Sequence, residues 1–371
     1  MTEASQLHGR SLQPLVEVAT LQRGYDLPLQ ERTDGAFPIF AANGPVGFHS
    51  SAKCRGPGVV TGRSGTIGKV HFVEGDYWPL NTSLYVKDFH GNHPRWVYYM
   101  LQSFGLDRFA QGAGVPTLNR NLVHGELISV PPATEQRRIA AILDKADALR
   151  SKRREALAQI DRLAQAIFVE MFGDPVANPK GWPLAPLSSV GTLDRGVSRA
   201  RPRNAPELLG GQHPLIQTGD VANCDGYLRN YDSTYSDLGL KQSRLWPAGT
   251  LCITIAANIA KTGILKFAAC FPDSVVGFSA AHPSTVEYVR VWLTFLQQAL
   301  EDAAPESAQK NINLAILRSL RMPLPPQALQ HAFASHLQVV ESLKSHHRDS
   351  LAETDTLFRS LQQRAFDGQL S

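Results

Sequence analysis

The longest regular pattern of hydrophobic positions lies near the middle of the chain. Apolar residues recur there at spacings of three and four, with one charged interruption at Arg153, which is typical of an amphipathic helix with a coiled-coil seam. The seam positions are Ile139, Ile142, Ala146, Leu149, Ala156, Ile160, Leu163 and Ile167. Thr134 can cap this helix, and Gly173 with Pro175 ends it. The sequence predicts a helix over about residues 135–172, roughly 57 Å long.

A second and weaker pattern lies near the C-terminal end of the chain, where His347 and Thr354 dilute the seam. Its apolar positions are Phe333, Val340, Leu343, Leu357 and Leu361. A helix of this length needs a longer apolar partner than a small module beside it offers. We therefore expect the two helices to form an antiparallel coiled coil, which would place the modules at opposite ends around a pseudo-twofold axis. The alternative is that each helix packs on its own module.

The chain repeats itself over the helices and over the segments before them. Proline pairs precede both helices, at Pro131 and Pro325, and the same offset relates further residues without a gap. These pairs are Asn119 and Asn313, Gln136 and Gln330, Leu143 and Leu337, Leu149 and Leu343, Leu157 and Leu351, Leu163 and Leu357, and Phe172 and Phe366. Upstream, the run Thr20-Leu21-Gln22-Arg23-Gly24 matches Thr192-Leu193-Asp194-Arg195-Gly196 at a shorter offset. The sequence indicates a tandem duplication, with about 22 extra residues in the second copy.

Short β-branched and aromatic runs between glycines predict strands in the segment before each helix. Predicted strands lie at 58–61, 69–73 and 250–255, and predicted helices at 95–104 and 288–300. We therefore predict an α+β fold, with two similar globular modules separated by two long helices. The expected segments are a first module at 1–130, a first spacer at 131–180, a second module at 181–324 and a second spacer at 325–371.

The composition is that of a folded protein. Hydrophobic residues make up 43% and charged residues 19% of the 371 positions, which is enough apolar surface for real cores. A net charge of +4 is compatible with nucleic-acid binding but does not demonstrate it. The polar start Met1–Arg10 and the lack of a long apolar stretch disfavour secretion and membrane spanning, so we expect a cytoplasmic protein.

No motif in the sequence predicts catalysis or a metal site. The run from Gly62 resembles a phosphate loop, but Arg63 stands where a glycine is needed, and Val70 replaces the Ser or Thr after Lys69. Four cysteines, without zinc-finger spacing, are expected to be reduced buried thiols: Cys54, Cys224, Cys252 and Cys270. We expect the chain to bind rather than to react, with an enzyme that uses an unrecognised site as the alternative.

Positive charge gathers in one stretch of the first module. No acid occurs between Asp34 and Glu74, and the basic residues there are Lys53, Arg55, Arg63 and Lys69. The glycine-rich run, with Ser64 and Thr66, would let backbone amides and hydroxyls approach phosphates. Arg63 could reach a guanine edge.

The second module has a comparable acid-free stretch between Asp237 and Asp273. Its basic residues are Lys241, Arg244, Lys261 and Lys266, and a Pro-rich loop adds Arg195, Arg199, Arg201 and Arg203. Arginine suits bidentate contacts with phosphate and guanine, although arginines in such a loop could also be solvated only. Two basic modules held apart by helices fit a split DNA target, because equivalent positions on B-DNA recur about every 34 Å.

Several runs occur in a specific order and are partly duplicated. They are Arg63–Lys69, Leu127–Pro132, Glu135–Ala140, Leu143-Asp144, Phe172–Pro175, Ile253–Ile259 and Pro325-Pro326. In this order the chain resembles, over nearly its whole length, the specificity subunit of type I restriction-modification systems. The second copy departs from the pattern, because Ala328-Leu329-Gln330 stands where the family has Glu-Gln-Arg.

The resemblance implies two target-recognition domains that each read one half of a bipartite double-stranded DNA target. It implies that the subunit itself has no catalytic activity and binds neither a metal nor a cofactor. The implied partners are methyltransferase subunits, which bind S-adenosylmethionine and methylate adenine, and restriction subunits, which translocate and cut DNA. The alternative is a DNA-independent scaffold whose coiled coil joins protein partners.

Overall fold

A computed structural model describes most of the chain. The described residues are 9–112, 114–256, 259–302 and 312–370, of which 298, 299, 301 and 302 are described by their backbone alone. Most of the polar start, up to His8, lies outside this set. Ala257 and Asn258 of the run Ile253–Ile259 lie outside it as well.

The chain divides into two compact units, and each contains one half of two long helices. Residues up to Glu155, with those from Arg348 onward, form the first unit, and Ala156–His347 form the second. The long helices span Ala133–Phe172 and Gln327–Phe366. Each compact unit therefore consists of a module together with the helix halves that pack on it.

The first unit combines short strands with three short helices and the beginning of the first long helix. Its strands are β1 (Ser11–Pro14), β2 (Thr20–Arg23), β3 (Phe37–Ala41), β4 (Gly44–His49), β5 (Gly58–Gly62), β6 (Val70–Val73), β7 (Trp78–Pro79), β8 (Ser83–Asp88), β9 (Ala110–Gln111), β10 (Thr117–Leu118) and β11 (Leu127–Val130). Its helices are α1 (Leu15–Val18), α2 (Pro94–Ser103), α3 (Arg120–His124), the first half of α4 (Ala133–Phe172) and the second half of the other long helix, with 3₁₀ turns at Leu29–Glu31 and Leu106–Phe109.

The second unit repeats this plan. Its strands are β12 (Leu184–Pro186), β13 (Thr192–Arg195), β14 (Leu209–Leu215), β15 (Tyr227–Leu228), β16 (Ser233–Tyr235), β17 (Leu245–Trp246), β18 (Leu251–Thr254), β19 (Thr262–Leu265), β20 (Ala269–Cys270), β21 (Val275–Ser279) and β22 (Arg321–Pro323). Its helices are the second half of α4, α5 (Leu187–Val190), α6 (Thr218–Asn223), α7 (Asp237–Lys241), α8 (Pro283–Asp302), α9 (Leu314–Ser319) and the first half of α10 (Gln327–Phe366), with a 3₁₀ turn at Pro206–Leu208.

Equivalent strands of the two units pair in the same order. The main sheet of the first unit is ordered β2-β8-β5-β6, and that of the second is ordered β13-β21-β18-β19-β15. A strand before the module also pairs with one after it in both, as β1 with β11 and β12 with β22. The predicted α+β class and the tandem duplication are confirmed. The extra residues of the second copy lie between β13 and β18, where 196–250 replace 24–57.

The first long helix begins earlier than predicted. It starts at Ala133, directly after the proline pair, so Thr134 lies inside its first turn and does not cap it. The amide of Gln136 already donates to the carbonyl of Pro132 at 3.0 Å. The helix starts two residues before the predicted Glu135 because the carbonyl of Pro132 already accepts its first backbone hydrogen bond.

A glutamine ties the start of each long helix to its own module. The Nε2 atoms of Gln136 and Gln330 donate to the carbonyl of the first proline of their pairs, at 3.0 and 2.9 Å. Oε1 of Gln136 accepts from the amide of His93, and Oε1 of Gln330 accepts from Oγ1 of Thr285, both at 2.8 Å. Both glutamines are buried, so their polar groups need these partners.

The two helices run antiparallel within the first unit. Arg138 of α4 bonds to the carbonyl of Leu370, and Nε of Arg150 lies 2.5 Å from Oδ1 of Asp355. The residue numbers along α4 therefore increase while those of the contacting residues in the C-terminal segment decrease. The buried apolar side chains of these two helix halves are Ile139, Ala140, Leu143, Ala146, Phe358 and Ala365.

The second unit contains the other halves, which are also antiparallel. Nζ of Lys344 lies 2.7 Å from Oδ1 of Asp161, and the rings of Phe168 and Phe333 lie 5.6 Å apart. Further along α4, the ring of Phe172 contacts that of Phe333 at 5.3 Å. This aromatic cluster belongs to the core of the second module. The predicted antiparallel pairing is confirmed in both units.

Four of the predicted seam leucines are not in the seam. Leu149, Leu163, Leu343 and Leu357 are 52, 39, 44 and 50% exposed. The other predicted seam residues are buried or partly buried, namely Ile139, Ile142, Ile160, Ile167, Phe333, Val340 and Leu361. The helix ends bury their stripe against their modules, and charged pairs occupy part of the facing surface. A simple 3-4 repeat does not describe such a surface.

All four cysteines are free thiols, but only two of them are buried. Cys252 and Cys270 are buried, whereas Cys54 and Cys224 are half-buried, which corrects the expectation for those two. Burial raises the pKa of each of the four thiols. Within the described ranges, the helices lack the combination of length and apolarity needed to cross a membrane.

Candidate nucleic-acid interface

Each module carries one arginine at the end of an equivalent edge strand. Arg23 is the last residue of β2 and Arg195 the last of β13, and these strands pair with β8 and β21 respectively. Leu21 and Leu193, two residues earlier, are buried, whereas both arginines are exposed. The strand end therefore carries each arginine beyond the core and onto the surface.

A glycine follows each of these arginines because no larger residue fits there. A Cβ atom on Gly24 would lie 2.2 Å from the carbonyl oxygen of Leu80. A Cβ atom on Gly196 would lie 2.3 Å from the carbonyl oxygen of Phe271. This close approach fixes the backbone next to each arginine, which explains the Arg-Gly pair in both copies of the repeat.

A second arginine reaches each of these strands from a short helix. In the first module, Nη1 of Arg120 in α3 donates to the carbonyl of Leu21 at 3.3 Å. In the second module, Nη2 of Arg318 in α9 donates to the carbonyl of Leu193 at 2.7 Å. Both arginines are exposed. Each module therefore holds two arginines around one strand end.

The glycine-rich loop between β5 and β6 does not offer its amides as predicted. The amides of Arg63, Ser64 and Gly65 donate to the carbonyls of Thr82 and Pro116 at 2.9 to 3.0 Å. These three amides are therefore engaged inside the protein, and the prediction that they cradle a phosphate is wrong. A loop that connects two strands needs its backbone bonds for its own fold.

The same loop folds back on itself at one end of the β5–β6 hairpin. A Cβ atom on Gly62 would lie 1.6 Å from the carbonyl oxygen of Thr66, so glycine is required. The carbonyl of Lys69, whose side chain is exposed, accepts from Oγ1 of Thr61 at 2.8 Å. The half-exposed side chains of Ser64 and Thr66 thus stand at the same end of the hairpin as Lys69.

Arg63 belongs to the same surface as Arg23. Nη1 of Arg63 donates to the carbonyl of Asn81 at 3.2 Å, and the Asn81 amide donates to Asp26. Oδ1 of Asp26 lies 3.5 Å from Nη2 of Arg23. The acid-free stretch of the sequence is thus not acid-free in space, because Asp26 comes in from another segment.

Lys53 and Arg55 lie at the other end of β5. Both are exposed, and Nζ of Lys53 lies 5.0 Å from the ring centre of Trp78. The amide of Gly56 donates to the carboxylate of Asp76 at 3.0 Å. A five-residue strand spans roughly 17 Å, so these two residues do not join the Arg63 end of the hairpin. The basic residues of the predicted stretch therefore lie at two separate ends of β5.

In the second module the arginines of the Pro-rich loop share a carboxylate. Nη2 of Arg203 lies 2.7 Å from Asp273, and Nη2 of Arg201 lies 3.9 Å from it. Nη1 of Arg201 also donates to the carbonyl of Ser198 at 2.8 Å, whereas the side chain of Arg199 is exposed. Asp273 therefore neutralises part of a loop that was predicted to be free of acids.

Gln242 fixes this loop to the segment that follows α7. Its Oε1 accepts from the amides of Arg199 and Ala200 at 2.7 and 3.0 Å. Its buried Nε2 has no hydrogen-bond partner in the described part of the protein. Lys241 and Arg244, both exposed, flank this residue in the sequence. The loop arginines and these two basic residues therefore lie on one surface.

Asp194 links Arg318 to Arg244 on that surface. Its carboxylate oxygens lie 3.4 Å from Nη1 of Arg244 and 3.4 Å from Nη2 of Arg318. The guanidinium of Arg244 also lies 3.9 Å from the ring centre of Trp246. The paired side chains are about half exposed, so each of these ion pairs contributes only about 0–1 kcal/mol to stability.

Lys261 occupies the position of Lys69 but has different surroundings. Its carbonyl accepts from Oγ1 of Thr254 at 3.3 Å, as the carbonyl of Lys69 does in the first module. Lys261 lines a cavity of about 470 Å³ together with Asp161 and Lys344 of the long helices. The structure thus places Lys261 against the helix pair and not among the loop arginines.

Sequence reasoning missed five residues of these surfaces: Arg23, Arg120, Arg318, Asp194 and Asp273. The repeated Arg-Gly pair was a signal that could have found Arg23. Asp194 lies beside Arg195 in the repeated run itself, whereas Arg120, Arg318 and Asp273 come from segments distant in the sequence and could not be identified from it.

The described residues contain no group of three or more His, Cys, Asp or Glu side chains placed to hold a metal ion. The strongest pKa shifts occur in the cores, where burial raises the pKa of Tyr77, Tyr99 and Tyr288. Burial in an apolar core explains these shifts without a catalytic role. The two arginine surfaces are therefore the strongest candidates for a functional site.

Comparison with known proteins agrees with this assignment. The family model described as type I restriction modification DNA specificity domain matches residues 13–161 and 179–353. The chain is 29% identical over 114 residues to the type I restriction enzyme EcoprrI specificity subunit of Escherichia coli, which covers 30% of this chain and 28% of that protein. It is 21% identical over 314 residues to the EcoBI specificity subunit of Escherichia coli, which covers 75% of this chain and 66% of that protein.

The fold also matches a solved structure. The type I restriction-modification system S subunit from M. genitalium superposes with a TM-score of 0.58 at 13% identity, over 98% of both chains. At this identity the likeness concerns the fold alone. The chain covers less than two thirds of the length of both E. coli subunits.

Proposed function

This chain belongs to the family of type I restriction modification DNA specificity domains, and on that premise we propose that it is a DNA specificity subunit. Each module contacts one half of a bipartite double-stranded target, and the long helices join the two modules. The chain itself recognises DNA and carries out no chemistry.

One observation carries this proposal, namely that the same arginine arrangement recurs in both modules. An exposed arginine ends the edge strand, and a second arginine is bound to the carbonyl two residues before it. Guanidinium groups suit phosphate and guanine because they form bidentate hydrogen bonds. A duplicated basic surface fits a ligand that presents two similar anionic segments, as duplex DNA does.

The modules also differ in the loops that would contact the bases, as two domains that recognise different half-sites must. The first presents the hairpin loop with Arg63, Ser64 and Thr66, and the second presents the loop with Arg199 and Arg203. Different side chains at the base edges would select different half-sites. The pairing of Arg203 with Asp273 and the tether of Arg63 to Asn81 keep these side chains in place before DNA arrives.

We further propose the partners of the complex. Methyltransferase subunits, which bind S-adenosylmethionine and methylate adenine, associate with this chain, and restriction subunits join them. The chain supplies sequence recognition, and the partners supply all the chemistry. We place this complex in the cytoplasm.

A binding selection on random duplexes tests the proposal. The full chain, with its methyltransferase partner, should enrich two defined half-sites separated by a fixed number of unspecified base pairs. Scrambling either half-site in the selected duplex should lower the affinity by about tenfold or more, because each mismatched base pair costs about 1–3 kcal/mol. Enrichment of one continuous sequence, or of none, would contradict the proposal.

A salt series separates this function from that of a DNA-independent scaffold. A DNA reader loses affinity steeply as salt rises, because each neutralised phosphate releases bound counterions. A scaffold would assemble with its protein partners and show no duplex preference at any salt concentration. Methylation by the purified chain alone would instead identify it as an enzyme.

A further inference from the structure

We propose that Arg23 with Arg120, and Arg195 with Arg318, form two equivalent phosphate clamps, one in each module. Each clamp binds the sugar-phosphate backbone of its half-site and reads no base. This inference rests on the proposed function, and it assigns that function's sequence-independent part to four particular side chains.

Two different half-sites have their backbone in common. Their bases differ, whereas their phosphodiester backbones are chemically the same. Features that both modules share in place and in chemistry therefore suit the backbone. Features that differ between the modules suit the bases. Comparing the duplicated modules thus sorts the basic residues into two classes.

The strand-end arginines are equivalent in the two modules, both in the sequence repeat and in the structure. Arg23 and Arg195 end the equivalent strands β2 and β13 and are followed by glycines whose missing Cβ lets neighbouring carbonyls approach. The backbone of each arginine is therefore fixed, while its side chain reaches the surface. A contact that must be made in the same way at both half-sites needs such a fixed origin.

The second arginine of each clamp occupies an equivalent place in the two modules, but not an equivalent position in the sequence repeat. Arg120 is the first residue of α3, and Arg318 is the fifth residue of α9. Both nevertheless donate to the carbonyl of the leucine two positions before the strand-end arginine. Residues two apart along a strand are roughly 6.7 Å apart. A guanidinium at the same place, reached from different sequence positions, indicates that the place matters more than the local sequence.

The carboxylates near the clamps leave the arginines available to DNA. Asp26 lies 3.5 Å from Arg23, and Asp194 lies 3.4 Å from Arg318, and in both pairs the side chains are about half exposed or more. Such exposed pairs are weak and screened by salt. A phosphate can therefore displace them, and until then they hold the guanidinium groups near their working positions.

The loops that differ belong to the other class. In the second module, the loop equivalent to the hairpin loop of Ser64 and Thr66 contains no arginine. The loop of Arg199 and Arg203 lies in the segment that is longer in that module. Lys69 and Lys261 share a backbone position, but Lys261 lines the cavity beside the long helices. These residues are therefore not part of the clamps.

Four single variants test the clamps in the full chain with its methyltransferase partner: Arg23→Ala, Arg120→Ala, Arg195→Ala and Arg318→Ala. Each should weaken DNA binding about three- to tenfold and make the plot of log affinity against log salt shallower by about one. The selected bases of both half-sites should stay the same. The corresponding lysine variants should recover the salt slope, because they restore the charge.

Two exposed arginines provide matched controls. Arg321 in the second unit donates to the carbonyl of Leu184 at 3.3 Å, much as Arg318 does to Leu193, and Arg359 lies on α10 in the first unit. Arg321→Ala and Arg359→Ala should leave affinity and salt slope unchanged. Clamp variants that change the selected bases, or that bind like these controls, would overturn the clamps while sequence-selective binding by the wild type upholds the proposed function. A wild type without any duplex preference would contradict the proposed function itself.

Discussion

Nζ of Lys344 lies 2.7 Å from Oδ1 of Asp161, which joins the two long helices inside the second unit. The lysine side chain is only 8% exposed, whereas that of Asp161 is 56% exposed. Glu341, 3.9 Å away, is a more distant second partner. A buried ammonium group depends on its carboxylate far more than an exposed carboxylate depends on its lysine.

This asymmetry predicts unequal effects of removing the two partners. Asp161→Ala leaves the ammonium of Lys344 buried with only Glu341 near it, and should lower the free energy of unfolding by about 1–3 kcal/mol. Lys344→Met removes the buried charge and substitutes an apolar side chain of similar length. It should lower the free energy of unfolding by about 1 kcal/mol or less. Urea denaturation of both variants measures the difference. A larger loss from Lys344→Met than from Asp161→Ala would show that the pair is not governed by burial of the lysine.

The glycine after each strand-end arginine should not tolerate a side chain. Gly24→Ala would place a Cβ atom 2.2 Å from the carbonyl oxygen of Leu80, so the strand end must shift. We expect a loss of about 2–4 kcal/mol in the free energy of unfolding. Gly75→Ala is the control, because a Cβ atom there meets nothing within 4 Å. Equal thermal stability of the two variants would disprove the close approach at Gly24.

The first unit should lose stability as the pH falls through the range in which histidine titrates. Nε2 of His124 accepts from the amide of Leu21 at 3.0 Å, so it must be unprotonated. Burial, and secondly the charge of Arg120, lowers the pKa of His124 below its usual 6.5. Burial likewise lowers the pKa of His71 and His93. Below about pH 6.5 the unfolded chain therefore binds protons that the folded chain does not.

The free energy of unfolding should thus fall as the pH drops through about 6.5, because the unfolded state is favoured by its extra protons. His124→Asn keeps an acceptor for the Leu21 amide but does not titrate in this range. Its unfolding free energy should therefore depend less on pH than that of the wild type. Urea denaturation at several pH values measures this. The same pH dependence in both proteins would show that His124 does not titrate as its burial requires.

Asp273 should restrain binding by the arginine loop. Its carboxylate neutralises part of the charge of Arg203 and Arg201, so Asp273→Asn exposes more positive charge to a phosphate. Affinity for a random duplex should rise about two- to fivefold at low salt, the equivalent of one weak ion pair. Asp232→Asn, at an exposed position in the same unit, makes the same change in net charge and should have a smaller effect. Equal gains would show that only net charge matters.

The parts of the fold that were predictable depend on neighbouring residues. Prolines before the helices and Gly173 after the first one set their ends, to within a few residues. The repeat of identical residues at fixed offsets revealed the duplication, because each copy must preserve the same buried positions, such as Gln136 and Gln330. These signals are local, or are repeated locally, and need no knowledge of tertiary contacts.

The parts that were not predictable depend on distant residues. Asp273 lies 70 residues after Arg203, so an acid-free stretch of sequence did not mean an acid-free surface. The amide of Gly65 is taken by the carbonyl of Pro116, which no inspection of the loop itself could show. Leu149 fits the same 3-4 pattern as Ile139 and Ala146 but is exposed while they are buried, a difference that spacing alone does not reveal.

Site-specific photocrosslinking tests most directly the claim that each module reads its own half-site. A photoreactive residue at Lys69 in the first module and, in a separate protein, at Arg199 in the second would be bound to the selected duplex with the methyltransferase partner present. We predict that position 69 crosslinks to one half-site only and position 199 to the other only. Crosslinks from both positions to the same half-site, or from either to the unspecified bases between them, would contradict the account.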